Sequence, residues 1–301
     1  MKTVPRMQLG VSTWVWTSPA TTAVLETLIP HIAEMGFDVV ELPIEEIGQF
    51  DVPRVGELAR AHGLEISVCA VIGPGRDLLL PGEAERGVSY LQSCIDVARE
   101  LGSPTVAGPF YSAVGRCWRS TPDERARDVD QIARVLRSLG EYAAERGVRL
   151  GVETLNRFET SFLNTTEQAL DLVRRVDHPA VGVALDLFHL GIEEKHVGDA
   201  LRAAGSRLVH LQVAENDRGT PGTGSLPWRD VAAALHEIDY AGRVVIETFS
   251  DRVEAIARAA AIWRPLAPDS DTLAREGLAF LRELFAQASG SSTAARVAVG
   301  S

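Results

Sequence analysis

The sequence predicts a single (β/α)₈ barrel, a TIM barrel of the α/β class, on three observations. Short apolar runs rich in β-branched residues alternate, in order, with longer amphipathic stretches. Several of those stretches end in a glycine just before the next apolar run: Met35-Gly36, His62-Gly63, Leu101-Gly102 and Arg146-Gly147. Glycine in that place is the left-handed C-cap signature, so the joints are short αβ loops of one kind. The segment after the first apolar run reads Ser12-Thr13-Trp14-Val15-Trp16. That is not the glycine-rich phosphate loop that usually opens the competing fold, a doubly wound open sheet. Consecutive β-then-α units imply parallel strands with right-handed crossovers, and eight of them close into a barrel.

The expected strands are Gln8–Ser12, Asp38–Leu42, Glu65–Ala70, Thr105–Ala107, Arg149–Glu153, Val181–Asp186, Leu208–Val213 and Val244–Glu247. Helical periodicity covers Thr22–Met35, Ala84–Leu101, Pro122–Arg146, Thr166–Val176 and Trp228–Ile238. Thr121-Pro122-Asp123-Glu124 is a strong helix start, with Thr121 as N-cap and proline at the first helical position. Asp251 to Arg275 departs from the repeat and reads as a barrel-closing appendage. It carries a helix, then Pro265 and Pro268, then another helix over Thr272–Phe285.

With 301 residues, 46% of them hydrophobic, the chain suffices for one large core. Barrels of about 250 residues form one domain, so residues 1–287 are read as a single catalytic domain. The stretch 288–301 lacks periodicity and is read as a disordered tail. A net charge of −11 argues against a nucleic-acid surface, which needs a basic patch. No apolar run approaches the ~20 residues of a membrane span. The three cysteines, Cys69, Cys94 and Cys117, show no CxxC spacing, which with the odd count suggests free thiols and a cytoplasmic protein.

Functional residues of such barrels stand at the C-terminal strand ends. Four consecutive strands finish in an oxygen-bearing side chain after an apolar run: Glu153, Asp186, Gln212 and Glu247. Carboxylates converging on one mouth repel each other unless a cation neutralises them. An all-oxygen set without thiolates points to Mn²⁺ or Mg²⁺ rather than a structural zinc. Taken singly, each could instead cap a helix or pair with an arginine.

Glu153-Thr154-Leu155-Asn156-Arg157-Phe158-Glu159 resembles the E-x-x-N-R-x-E segment of the ketose (D-tagatose/D-allulose) 3-epimerases, members of the xylose-isomerase-like barrel superfamily. Asp186-Leu187-Phe188-His189, Glu215-Asn216-Asp217-Arg218, Pro221-Gly222-Thr223-Gly224 with Pro227-Trp228, and Val245-Ile246-Glu247-Thr248-Phe249 are similar to theirs in the same order. The resemblance implies one divalent metal, with manganese favoured over magnesium or cobalt. It implies that Glu153 and Glu247 are both metal ligands and the catalytic acid/base pair, and that Asp186 is a metal ligand. Glu159, His189 and Arg218 become substrate-binding groups. One departure stands out: where the epimerases carry H-x-H, this chain has His210-Leu211-Gln212, so Gln212 takes the metal-binding place. Hydroxypyruvate isomerases of the superfamily use glutamine there.

The expected reaction is therefore C3 epimerisation of an unphosphorylated ketose, by two-glutamate proton transfer through a metal-bound enediolate. The alternatives are an aldose–ketose isomerase of the hydroxypyruvate type, with Arg157 or Arg116 as extra cations at the mouth, and elimination on a 3-keto sugar, as in C-glycoside cleavage with a partner subunit. Trp14 and Trp16, just after the first strand, either line the sugar pocket or pack in the wall. Cys69 reads as pocket or core lining rather than a nucleophile, because nothing nearby supplies a base. The expected partner is a small sugar, and related barrels imply a homodimer or homotetramer.

Overall fold

The computed structural model describes the backbone of residues 7–249 and 251–298. Eight strands form a closed, all-parallel barrel in sequence order: β1 (Gln8–Ser12), β2 (Val39–Ile44), β3 (Glu65–Ala70), β4 (Thr105–Gly108), β5 (Arg149–Glu153), β6 (Val181–Asp186), β7 (Leu208–Val213) and β8 (Arg243–Ile246). The ring closes where Gly10 of β1 pairs with Val245 of β8. Strand ends differ from expectation by one or two residues at β2, β4 and β8, and Glu247 falls just beyond the last strand. Gly36, Gly63, Gly102 and Gly147 all have positive φ, as their C-cap role requires. Thr121 and Glu124 form a reciprocal capping box at the start of the helix Pro122–Ala144.

Alternation along each strand sends one set of side chains outward and the other into the barrel. The outward set, including Val40, Leu42, Val152 and Leu185, packs with helix residues such as Leu25, Ile29, Ile132 and Leu136 in one continuous core. The inward set is mixed in size. Gly151 and Gly182 leave room for Val209, since a Cβ at either would come within 2.8 Å and 2.6 Å of it. Val209 lies at a register shift between β6 and β7, after which Ala184 pairs with His210 and Asp186 with Gln212. The irregularity sets His210 and Gln212 onto the inner face.

The segment 251–275 contains the helix Glu254–Ala259, and the closing helix runs Ser270–Ala298, into the stretch where the sequence shows no periodicity. Among the described residues no helix is long and apolar enough to cross a membrane.

Gly108 ends β4 at φ +142°, and a Cβ there would come 2.1 Å from the Ala70 carbonyl oxygen of β3. Backbone cannot yield as a flexible side chain does. Gly108→Ala is expected to destabilise the fold by on the order of 3 kcal/mol, measured by denaturant unfolding.

Candidate active site

Four consecutive strands deliver polar side chains to one mouth. Glu153 closes β5, Asp186 closes β6, Gln212 is the penultimate residue of β7, and Glu247 follows β8. All four are buried, Asp186 and Gln212 completely. Burial holds the Glu153 carboxyl well above the usual carboxylate range, reinforced by repulsion from Glu247 and Asp186 and only partly offset by Arg218. Burial does the same to Glu247; Arg218 opposes the shift, while Asp186 and Glu41 add to it.

Arg218 is the cation set among these acids. Its Nη1 lies 2.5 Å from Asp186 Oδ2 and 3.3 Å from Glu247 Oε2. The guanidinium lies over the Phe188 ring at 4.0 Å and the Phe249 ring at 5.0 Å. Its backbone sits at φ +66°, an unfavourable region for a non-glycine residue, so the loop must hold it there. Buried Glu215 does much of this, accepting from the Gly222 and Leu226 backbone N–H groups at 2.9 and 2.8 Å and from the Trp228 indole at 2.8 Å. The Thr248 hydroxyl donates to the Arg218 carbonyl. The Glu-Asn-Asp-Arg motif thus reads physically as a clamp followed by the residue it aims.

His189, on the short helix Leu187–Glu193 that Asp186 caps, is buried and held neutral by burial and by Arg218. Its Nδ1 accepts from the Asn156 backbone N–H at 3.1 Å and faces the Asn156 side-chain amide at 2.9 Å. The ring proton of the neutral form therefore sits on Nε2. Arg218 Nη2 lies 3.1 Å from that nitrogen. Asn156 also donates to Glu159 at 2.7 Å, tying Glu159 to His189.

Gln212 donates from Nε2 to Glu41 at 3.0 Å and to Glu247 at 2.5 Å, and its Oε1 is buried without a partner. An orphaned buried acceptor among carboxylates fits a cation ligand. Glu153, Asp186 and His189 place ligand atoms within 4.8 Å of one another, and Glu41, Cys69 and Glu247 form a second such group. Buried acids and an amide oxygen make a donor set that fits a hard divalent cation.

Glu153, His189, Glu247 and Cys69 of these groups line a cavity of about 130 Å³. Glu153, Glu159, His189, Arg218 and Glu247 supply its polar wall, and apolar residues including Val71, Val114 and Leu155 face them. Ile256, Ala259 and Ala260, from the appendage, line its apolar side as well. Trp14 lines this cavity and packs 5.5 Å from Phe249, and Cys69 also lines it with a thiol pushed well up by burial. Trp16 does not line it: its indole N–H donates to Asp271 of the closing helix at 2.8 Å. Arg157 pairs with Glu193 and Arg116 with Asp77, so neither contributes a cation to the cavity. Glu41 is not among the sequence candidates: its one signal is an acid interrupting the apolar run Val39-Val40-Glu41-Leu42, and it stands in the middle of β2, not at a strand end.

The profile of the xylose isomerase-like TIM barrel family matches residues 29–284. A probable ketose 3-epimerase of Synechocystis sp. is 31% identical over 93% of this chain and 98% of its own length. The solved structure of an L-ribulose 3-epimerase superposes with a TM-score of 0.90 at 28% identity, covering 96% of this chain and 98% of the other. A D-allulose 3-epimerase from Methylomonas sp., solved in complex with D-allulose, gives a TM-score of 0.86 at 28% identity, covering 93% and 97%. The chain belongs to the xylose isomerase-like TIM barrel family and is an isomerase of its ketose 3-epimerase group.

Proposed function

We propose that the protein epimerises an unphosphorylated ketose at C3, with Glu153 and Glu247 as the proton-transfer pair. The carrying observation is that two buried glutamates line one cavity from strand ends separated by β6 and β7. One carboxylate takes the proton from the carbon beside the ketone, and the other returns one to the opposite face. His189 Nε2–H and the Arg218 guanidinium donate to the oxygen on which charge develops. Glu159, fixed by Asn156, accepts from a substrate hydroxyl. The apolar residues Val71, Val114 and Leu155 line the same cavity beside these polar groups. Glu153, Asp186, Gln212 and Glu247 would hold a divalent cation, manganese in preference to magnesium or cobalt, whose chemistry is Lewis-acid polarisation of the ketone and its neighbouring hydroxyl.

The lining carries one cationic side chain, Arg218, already engaged by Asp186 and Glu247. A phosphate would find no spare positive charge there, which supports a neutral sugar. The same fact weakens the hydroxypyruvate reading, whose acidic substrate needs additional cations.

Glu153→Gln and Glu247→Gln are each expected to lower kcat by about 10²–10⁴-fold. Solvent deuterium exchange at C3 of a ketose, followed by NMR, measures this. Near-normal turnover in either variant would remove the two-glutamate mechanism, and exchange at C1 with carbonyl migration would select an isomerase instead.

Chelation is expected to abolish exchange and lower the melting temperature, with Mn²⁺ at a hundred times its Kd restoring about 2.7 kcal/mol. The pH dependence has a definite sign. Raised pKa values mean that the folded, chelated protein keeps protons on Glu153 and Glu247 that the unfolded chain has lost. Their contribution to stability is therefore present at low pH and lost as pH rises above the ordinary glutamate range through the raised values. A cation displaces those protons, so Mn²⁺ affinity is expected to tighten with rising pH, with proton release visible by calorimetry in buffers of different ionisation enthalpy.

A further inference from the structure

Glu41 lies outside the cavity lining and takes no part in the proton transfer, yet it is completely buried on β2, inside the barrel. An ionised carboxylate in such a place costs several kcal/mol unless its charge is used. Its contacts show the use. Oε1 accepts from Gln212 Nε2 at 3.0 Å, and Oε2 lies 2.7 Å from His210 Nε2. The latter contact is close but completes no hydrogen bond. His210 and Gln212 stand two residues apart on the inner face of β7, and both are fully buried.

Gln212 has two amide hydrogens, and both have acceptors: one points to Glu41 and the other to Glu247. Only Oε1 is left unpartnered. An amide differs from an imidazole here. Turned by 180°, it presents –NH₂ where it had presented oxygen, and –NH₂ repels a cation. That turn would set the amide oxygen against the carboxylate of Glu41, an acceptor against an acceptor.

We propose that Glu41 is a positioning residue that locks the Gln212 amide with its oxygen outward as a cation ligand, and that His210 steadies Glu41 from the other side. The proposal rests on the metal reading above. It explains why a glutamine serves at this strand end: its orientation is dictated by a buried acid on the far side of the barrel.

The test is Mn²⁺ affinity of the intact chain, read by electron paramagnetic resonance of free Mn²⁺ and by calorimetry. Glu41→Gln keeps the shape of the side chain but offers Gln212 either a donor or an acceptor, so the lock is lost. Its Kd for Mn²⁺ is expected to weaken about 10–100-fold. The melting temperature of the chelated variant should not fall, because the exchange keeps the size and shape of the side chain. The double exchange Glu41→Gln/Gln212→Glu restores a donor facing an acceptor and is expected to bind Mn²⁺ more tightly than Gln212→Glu alone, where two carboxylates meet. Additive effects at positions 41 and 212, or an unchanged Kd in folded Glu41→Gln, would overturn the proposal while leaving the metal site standing. Should Glu41→Gln not fold, the comparison of the double exchange with Gln212→Glu decides alone. Absence of Mn²⁺ binding by the unaltered protein would overturn the metal reading itself, and this proposal with it.

Discussion

Like charges buried together at the barrel mouth are the constraint on which the rest of the site depends. Glu153, Asp186 and Glu247 are all buried there, with Arg218 as the cationic partner and His189 held neutral. Two like charges 4 Å apart repel by about 4 kcal/mol at an effective dielectric of 20. No single guanidinium balances three such acids, and burial first, then this repulsion, holds the Glu153 and Glu247 carboxyls above the usual carboxylate range. The same frustration makes these carboxylates suitable for proton transfer, since an acid poised nearer neutrality both gives and takes a proton readily.

The surrounding structure serves to hold that arrangement in place. Arg218 stays in a left-handed backbone conformation because buried Glu215 gathers the loop behind it and Thr248 fixes its carbonyl. Phe188 and Phe249 confine its guanidinium plane. Asn156 joins strand β5 to the helix after β6 by holding both His189 and Glu159. Ile256, Ala259 and Ala260 of the appendage line the apolar side of the same cavity. A small register shift at the β6–β7 junction has a large consequence, because it decides that His210 and Gln212 face inward.

Much of this was legible in the residues themselves. Strand periodicity, glycine caps and the Thr121 capping signal are local, so they located five of the eight strands to the residue and the rest to within two. The mouth followed from the same logic, since alternation sends strand-end residues of one parity into the barrel. The strand-end positions of Glu153, Asp186, Gln212 and Glu247 are therefore legible without a structure. Ordered motifs added His189, Arg218 and Glu159, all of which line the cavity.

Contacts between distant strands and loops were decided by tertiary structure alone. Trp14 and Trp16 are two residues apart, yet one lines the cavity and the other bonds to Asp271 of the closing helix. Arg157 stands inside the most specific motif but turns to Glu193, away from the cavity. Glu41 looked like one acid within an apolar strand, and only closure of the barrel sets it against Gln212, 171 residues away. The physical reason is one of range. Hydrogen-bonding period and side-chain parity are written into each short segment, whereas which inward side chains meet depends on register, barrel closure and loop path, and these are settled by the whole chain at once.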